Sequence, residues 1–280
     1  ATAVAGAIDS TITDVEMRKA LSRPTSSPTA RDLTLQAMNQ LIRYEAEPTA
    51  RAIALLEQAV ALDPDFAQPL SLLAIAHANN FRRRWTEDPE ASRAAFLHWY
   101  DRALRASSHD ESALANLVGA RLNAIGPDSE TVQLAEQAMA MNPDRVGVLY
   151  WAAQVDWVCG NLARSLERFE KMMRLNPRAT QRHLYLAGMG NCLYFLGRHD
   201  EAAIVQEEVL RSMPDYPASL LVAALAHHGC GRSGQARALA DRLRQVGGVA
   251  EALRYFNDKG QRAHLQQVWA TLTEAEALPG

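Results

Sequence analysis

The sequence predicts an all-α solenoid of about six helical hairpins, closed at its C-terminal side by a pair of capping helices. Three observations carry this. A phrase recurs: LEQAVALDP ending at Pro64, AEQAMAMNP at Pro143, FEKMMRLNP at Pro177 and EEVLRSMP at Pro214. Small or apolar residues stand at fixed distances before each closing residue. The composition is rich in Ala, Leu, Arg and Glu with few β-branched runs, which favours helix throughout.

The closing prolines are separated by 79, 34 and 37 residues, and the gap of 79 conceals a further unit that ends at Ser108 after YDRALRAS. A sixth unit ends at Gly248, again 34 beyond Pro214. Five, eight and twelve residues before the closing positions stand Ala59, Leu56 and Ala52, then Ala103, Tyr100 and Phe96, then Ala138, Ala135 and Thr131. The series continues with Met172, Phe169 and Ser165, Val209, Gln206 and Ala202, and finally Leu243, Ala240 and Ala236. Spacings of three to five place each set on one face of a helix, which must be buried. Seventeen back lie Gly126, Gly160, Gly197 and Gly231, suited to a left-handed turn between the two helices. Twenty-four back lie Gly119, Ala153, Gly190 and Ala224, small enough for close helix approach.

In order, the hairpins fall at 30–44 with 48–62, 67–81 with 89–106, and 110–123 with 128–141. Those at 145–158 with 162–175, 179–196 with 199–212, and 216–230 with 233–246 follow. The second unit is long because NNFRRRWTEDPEA (79–91) is inserted between its helices, and the fifth has a first helix about a turn longer. Residues 249–280 supply the capping pair, VAEALRYF and QRAHLQQVWATL around a break at Asp258 to Gly260, and the tail. Residues 1–29 precede the array: an amphipathic helix over 1–20 with Val4, Ile8, Ile12, Val15 and Met17 at helical spacing, then the linker SRPTSSPT. No hairpin buries its own face, so the stack is the folding unit and its ends need caps.

With these positions in place, residues 30–248 resemble the tetratricopeptide repeat family, whose period is 34 residues and whose hairpins stack into a right-handed α-α superhelix. A broader resemblance takes in AVAGAIDSTIT, the proline-bearing linker, ARDLTLQAMN and the long second unit. It is to the C-terminal repeat region of bacterial class III adenylate cyclases and of winged-helix transcription regulators, in which the effector domain lies N-terminal to the array. That resemblance implies a regulatory part of a cytoplasmic signalling protein. A start at Ala1 rather than Met suits a processed or excised segment.

The resemblance also implies that the concave side, lined by the first helix of each hairpin, is the binding surface. On that basis the candidate positions are Gln68, Ser71 and Asn79, then Asn116 and Asn123, then Tyr150, Gln154 and Trp157, then Asn191 and Tyr194, and last His228. Amides on an open face can both donate to and accept from an extended peptide backbone, and aromatics beside them provide flat apolar contact. The expected partner is a protein or peptide, or a small effector. An alternative is a dimerisation platform without a diffusible ligand, the two copies meeting through residues 1–20. The near absence of basic residues at the groove positions speaks against a carboxylate-terminated acidic tail as ligand.

Charge and motifs exclude several classes. The 29 basic and 32 acidic residues are interspersed for a net charge of −3, so no basic stripe for nucleic acid is present. No run approaches the ~18 apolar residues of a membrane span. Cys159, Cys192 and Cys230 stand alone in apolar helical contexts, which suits buried thiols in a reducing compartment. FRRRW (81–85) reads as a solvated loop whose aromatics pack on the repeat, with TEDP capping the helix that follows. HHGCG (227–231) lacks a second ligand pair at zinc spacing and reads as a helix end with one buried and one exposed histidine. His77 is expected between helices, and Asp156, beside Trp157, is the acidic residue whose burial is worth testing, although a single carboxylate is no mechanism. No phosphate loop, HExxH or nucleophile turn is present, so neither catalytic residue, cofactor nor metal is expected.

Overall fold

Thr29 opens the first helix with a reciprocal cap. Its hydroxyl accepts the Asp32 N–H at 3.1 Å while the Asp32 carboxylate accepts the Thr29 N–H at 3.0 Å, which satisfies amides that a helix start otherwise leaves orphaned. The computed structural model describes residues 29–256 and 259–274, and among them every regular element is an α-helix. They are α1 (Ala30–Leu41), α2 (Ala46–Leu62), α3 (Ala67–Arg83), α4 (Pro89–Ala106), α5 (Glu111–Ala124), α6 (Ser129–Met141) and α7 (Val146–Val158). Then come α8 (Leu162–Leu175), α9 (Arg182–Phe195), α10 (His199–Ser212), α11 (Pro217–Gly229), α12 (Ser233–Gln245), α13 (Val249–Tyr255) and α14 (Lys259–Glu274). The proposed N-terminal helix over 1–20 lies outside the described residues.

Most helix starts and stops lie within a few residues of where the punctuation puts them. Asp88, Asp110 and Asp128 cap α4, α5 and α6 by accepting first-turn amides at 2.9–3.0 Å. Gly160, Gly197 and Gly231 take φ of 82°, 75° and 74° between paired helices, a conformation that costs a residue with a Cβ ~1 kcal/mol or more.

Two lengths depart from expectation. The fifth hairpin's first helix is Arg182–Phe195, not longer than the others. Its extra residues form turns instead, with Ala179 N–H bonded to Asn176 O and Leu184 N–H to Gln181 O, and no side chain caps the start at Gln181. In the second hairpin most of the insertion is helical, because α3 continues to Arg83 and ends on Arg84 at φ 55°. Only residues 84–88 form the connection.

The chain divides into two compact units. The first comprises the described residues up to Val155 with Arg174–Ala179, and the second Asp156–Met173 with the described residues from Thr180 on. In the first, α1–α2, α3–α4 and α5–α6 pair as hairpins, and α3 also lies along α5. In the second, α9–α10 and α11–α12 pair, α10 packs on α11, and α13 packs on α11.

The predicted inward positions form the core. All eighteen residues counted back from the closing positions are buried, none more than 6% exposed. Full burial of a ring such as Phe96 or Phe169 is worth about 1.5–3 kcal/mol. The polar exceptions are each bonded. Thr131 donates to Gly126 O at 2.9 Å, Ser165 accepts the Cys192 thiol at 3.3 Å, and Gln206 donates to Asn191 Oδ1 at 2.9 Å. Gly119 and Gly190 mark close approaches: a Cβ would lie 2.4 Å from the Trp151 ring at the first, and 2.6 Å from the Gln206 amide at the second.

Candidate functional site

In the first unit the predicted polar positions do meet, and they meet one another. α3 and α5 start 44 residues apart, so residues separated by that interval stand side by side on adjacent first helices. Asn123 Nδ2 donates to Asn79 Oδ1 at 2.9 Å, and Asn116 Nδ2 donates to Ser71 Oγ at 3.1 Å. Ser71 in turn donates to Gln68 O at 2.8 Å, and the Gln68 amide reaches Met38 Sδ of α1 at 3.9 Å. A polar seam therefore runs along α1, α3 and α5. Asn116 and Asn123 are half-buried, Asn79 and Ser71 buried. Tyr150 is half-buried, with its ring 5.0 Å from that of Trp151, and Gln154 is buried.

Arg82 belongs to this seam, which the sequence reading missed by treating FRRRW as a loop. Its guanidinium donates to Asn123 Oδ1 at 2.8 Å. The signal was present in the helical phase, since Arg82 lies three residues after Asn79 and so shares its face. Arg83 instead stacks between the rings of Tyr44 and Trp85, at 5.5 and 5.2 Å.

On the flank of this unit, Arg121 is almost fully buried under Tyr100, 5.5 Å from its ring, and pairs with Asp128 at 2.6 Å and Glu130 at 2.9 Å. Burial pushes the Asp128 carboxyl up, but the Thr131 hydroxyl and N–H and the Arg121 guanidinium outweigh it and hold it below its ordinary value. Burial pushes the Tyr100 phenol up to about 12.

In the second unit the predicted positions are aromatic and largely buried. Trp157 and Tyr194 are each 4% exposed and Asn191 1%. Phe256, which follows α13, stands 5.7 Å from the Trp157 ring and 6.2 Å from that of Phe195. His264 of α14 lies 5.9 Å from both Tyr194 and Phe195, with its Nε2 3.1 Å from the Tyr194 hydroxyl. Burial pushes that phenol up to about 12. Phe195, Phe256 and His264 had no place in the repeat pattern and so escaped the sequence reading.

Asp156 is buried and is held by Arg164 and by Arg168 Nη1 at 2.6 Å. His228 is half-buried, while His227 is 4% exposed. The His227 Nδ1 accepts Arg232 Nε–H at 2.8 Å, so its proton sits on Nε2 and is donated to Glu207 at 2.7 Å. His77 is half-buried, and burial lowers its pKa. Cys192 is buried, but Cys159 is exposed, contrary to expectation, because α7 ends at Val158 and leaves the thiol in the turn before α8. Among the described residues no group of His, Cys, Asp and Glu is arranged to hold a metal, and no helix is long and apolar enough to cross a membrane.

Comparison with known proteins locates the fold. No family profile matches the chain, and no curated protein sequence does either. Solved structures do match. PilF of Pseudomonas aeruginosa shares 21% identity at a TM-score of 0.54, over 81% of this chain and 96% of that one. Human IFIT1, solved as a dimer with m7Gppp-AAAA, shares 16% identity at a TM-score of 0.63, over 84% of this chain and 54% of that one. The Cut9–Hcn1 hetero-tetramer of the APC/C matches at 12% identity and a TM-score of 0.63, over 95% of this chain and 46% of that one. The chain thus spans about half the length of the IFIT1 and Cut9 chains and nearly all of PilF. At these identities the likeness concerns the fold, which is the tetratricopeptide-type solenoid of helical hairpins.

Proposed function

We propose that this chain is a non-catalytic binding module that takes a protein or peptide segment on its first-helix faces. The observation that supports this best is the amide seam of the first unit. Asn79, Asn116 and Asn123 stand on one face, held in register by Ser71 and Arg82. Asn123 is bonded through both Nδ2 and Oδ1, and an amide, with two N–H donors and two acceptor lone pairs, has more to offer beyond one bond on each side. A row of uncharged amides suits a peptide backbone better than a carboxylate cluster or a phosphate, which would call for free arginines. Tyr150 and Gln154 in that unit, and Trp157, Asn191, Tyr194 and His228 in the other, are proposed as further ligand positions. The finer reading, a regulatory array of a cytoplasmic signalling protein of the cyclase or winged-helix regulator kind, rests on the sequence resemblance alone. A dimerisation platform built on residues 1–20 is the alternative.

Selection of a displayed random-peptide library on the full chain tests the module directly. Enriched peptides should lose at least ten-fold in affinity for Asn123→Ala, whose melting curve is recorded alongside. Peptides that bind this variant as tightly as the wild type would refute the seam as the site.

A further inference from the structure

The aromatic face of the second unit already has an occupant, and it comes from the same chain. Phe256 is fully buried, and its ring meets Trp157 and Phe195 edge-on at 5.7 and 6.2 Å. These are the end of α7 and the end of α9, first helices of two successive hairpins, whereas α13 itself packs on α11 of the hairpin after them. The C-terminal segment therefore does more than close the last hairpin: it turns back along the first-helix side. Arg262 of α14 ties itself to Phe256 by donating to its carbonyl from Nε at 3.2 Å and Nη2 at 2.7 Å, and His264 adds its contact with the Tyr194 hydroxyl.

Two features distinguish this segment from a permanent part of the core. Its grip is small. Among its described side chains the buried apolar ones are Ala252, Phe256, Leu265 and Leu272, whereas α11 buries every residue from Ala218 to His227. Its fit is also incomplete. Asn191 lies one helical turn before Phe195 and hence on the same face; Gln206 occupies its Oδ1, but its buried Nδ2 has no partner. Among the described residues the segment brings an aromatic ring to this face and no acceptor for that amide.

We propose that α13 and α14 form a displaceable intramolecular ligand, which closes the aromatic face until a partner segment replaces it. The partner that fits carries an aromatic side chain for the Trp157–Phe195 position and a backbone or amide carbonyl for Asn191 Nδ2. This rests on the reading of the first-helix faces as ligand-binding and adds the state in which one of them is shut.

The test uses the full chain and a labelled synthetic peptide of residues 249–274, with fluorescence anisotropy as readout. Phe256→Ala in the chain should raise its affinity for the added peptide at least ten-fold over wild type, and the same substitution in the peptide should abolish that gain. Hydrogen exchange on the wild-type chain gives an independent measure: amides of α13 and α14 should exchange at least a hundred-fold faster than those of α11. Equal protection of α11, α13 and α14 overturns the proposal, as does a peptide that binds both chains equally. If Phe256→Ala fails to fold, His264→Ala, at an exposed position, should still raise peptide affinity several-fold, and no change there is refuting. Library peptides that bind wild type and Phe256→Ala alike, and lose affinity at Asn123→Ala, would sink the displaceable segment while leaving the binding module intact.

Discussion

Gly188 is a sharp test of how the array is packed. An added Cβ would lie 2.3 Å from Phe169 Cζ, against a comfortable carbon–carbon contact of about 3.5 Å or more. The shortfall of about 1.2 Å falls on a ring only 1% exposed, which has nowhere to swing, so α8 and α9 must part. Overpacking of this kind costs about 1–3 kcal/mol. Ala in place of Gly inside a helix returns about 0.8–1.0 kcal/mol, and the net expectation for Gly188→Ala is a loss of up to roughly 2 kcal/mol. Gly119→Ala meets the Trp151 ring at 2.4 Å, but that ring is half-exposed and can yield, so its loss should be the smaller. Gly234, near the start of α12, has open space around it, and Gly234→Ala should stabilise by up to ~1 kcal/mol. Urea unfolding followed by circular dichroism at 222 nm would show midpoint shifts of opposite sign, each on the order of a few tenths molar. Phe169→Leu in the Gly188→Ala background should recover part of the loss through a coupling between neighbours. If Gly188→Ala stabilises as Gly234→Ala does, the interlocking of α8 with α9 described above is wrong.

Three further outcomes are expected. Asp156→Ala leaves Arg164 and Arg168 without their buried counter-charge; because their side chains are 54% and 20% exposed, water offsets part of the penalty and the loss should be about 1–2 kcal/mol by urea unfolding. Tyr100 and Tyr194 keep their protons in the folded chain to about pH 12, whereas an unfolded tyrosine releases its proton near 10. The folded state therefore binds more protons in that window, and stability should fall between pH 10 and 12, by at most about 1.4 kcal/mol per pH unit for each tyrosine; ultraviolet titration showing both phenols ionising near 10 would refute this. Burial raises the Cys192 thiol to about 11, while Cys159 is exposed. A thiol reagent with peptide mass mapping should accordingly label Cys159 in the native chain and Cys192 only on unfolding, and early labelling of Cys192 would contradict its burial.

What the sequence made legible is what depends on a period. The inward stripes repeat every 34 residues or so, and each buried stripe is local to one helix, so counting from Pro64 or Pro177 finds Leu56 and Phe169 without knowledge of any neighbour. The glycine turns follow for the same reason. Lateral pairing between hairpins is a different matter, because it depends on the length of the intervening unit. Asn79 and Asn123 are 44 residues apart, the interval at which α3 and α5 begin, and only the helical continuation of α3 through Arg83 places Arg82 beside them. A reading that ended α3 at residue 81 could name the asparagines and still miss that they bond each other. Phe256 lies beyond the repeats altogether, and no spacing rule ties it to Trp157. Its role follows from contacts made at long range with the rings of Trp157 and Phe195, and from the Arg262 guanidinium on its carbonyl.

The two first-helix surfaces have different chemistry, and this bears on what kind of binding they can support. The seam of the first unit is polar and already bonded within itself; a ligand there competes with existing hydrogen bonds as well as using the remaining donors and acceptors, and each bond nets only about 0.5–1.5 kcal/mol. The aromatic face of the second unit is filled by Phe256, so a ligand there gains only the difference between its own aromatic contacts and those it displaces. In both cases affinity is a difference between competing contacts, and discrimination comes from how well a partner outcompetes the chain's own groups. Such surfaces favour exchange over capture. A ligand of the second unit that supplied a carbonyl to Asn191 would gain where the chain itself leaves a buried donor unsatisfied, a vacancy worth about 1–3 kcal/mol. That amide is thus the position at which a foreign segment has most to gain over the native one, and the position from which its chemistry can best be deduced.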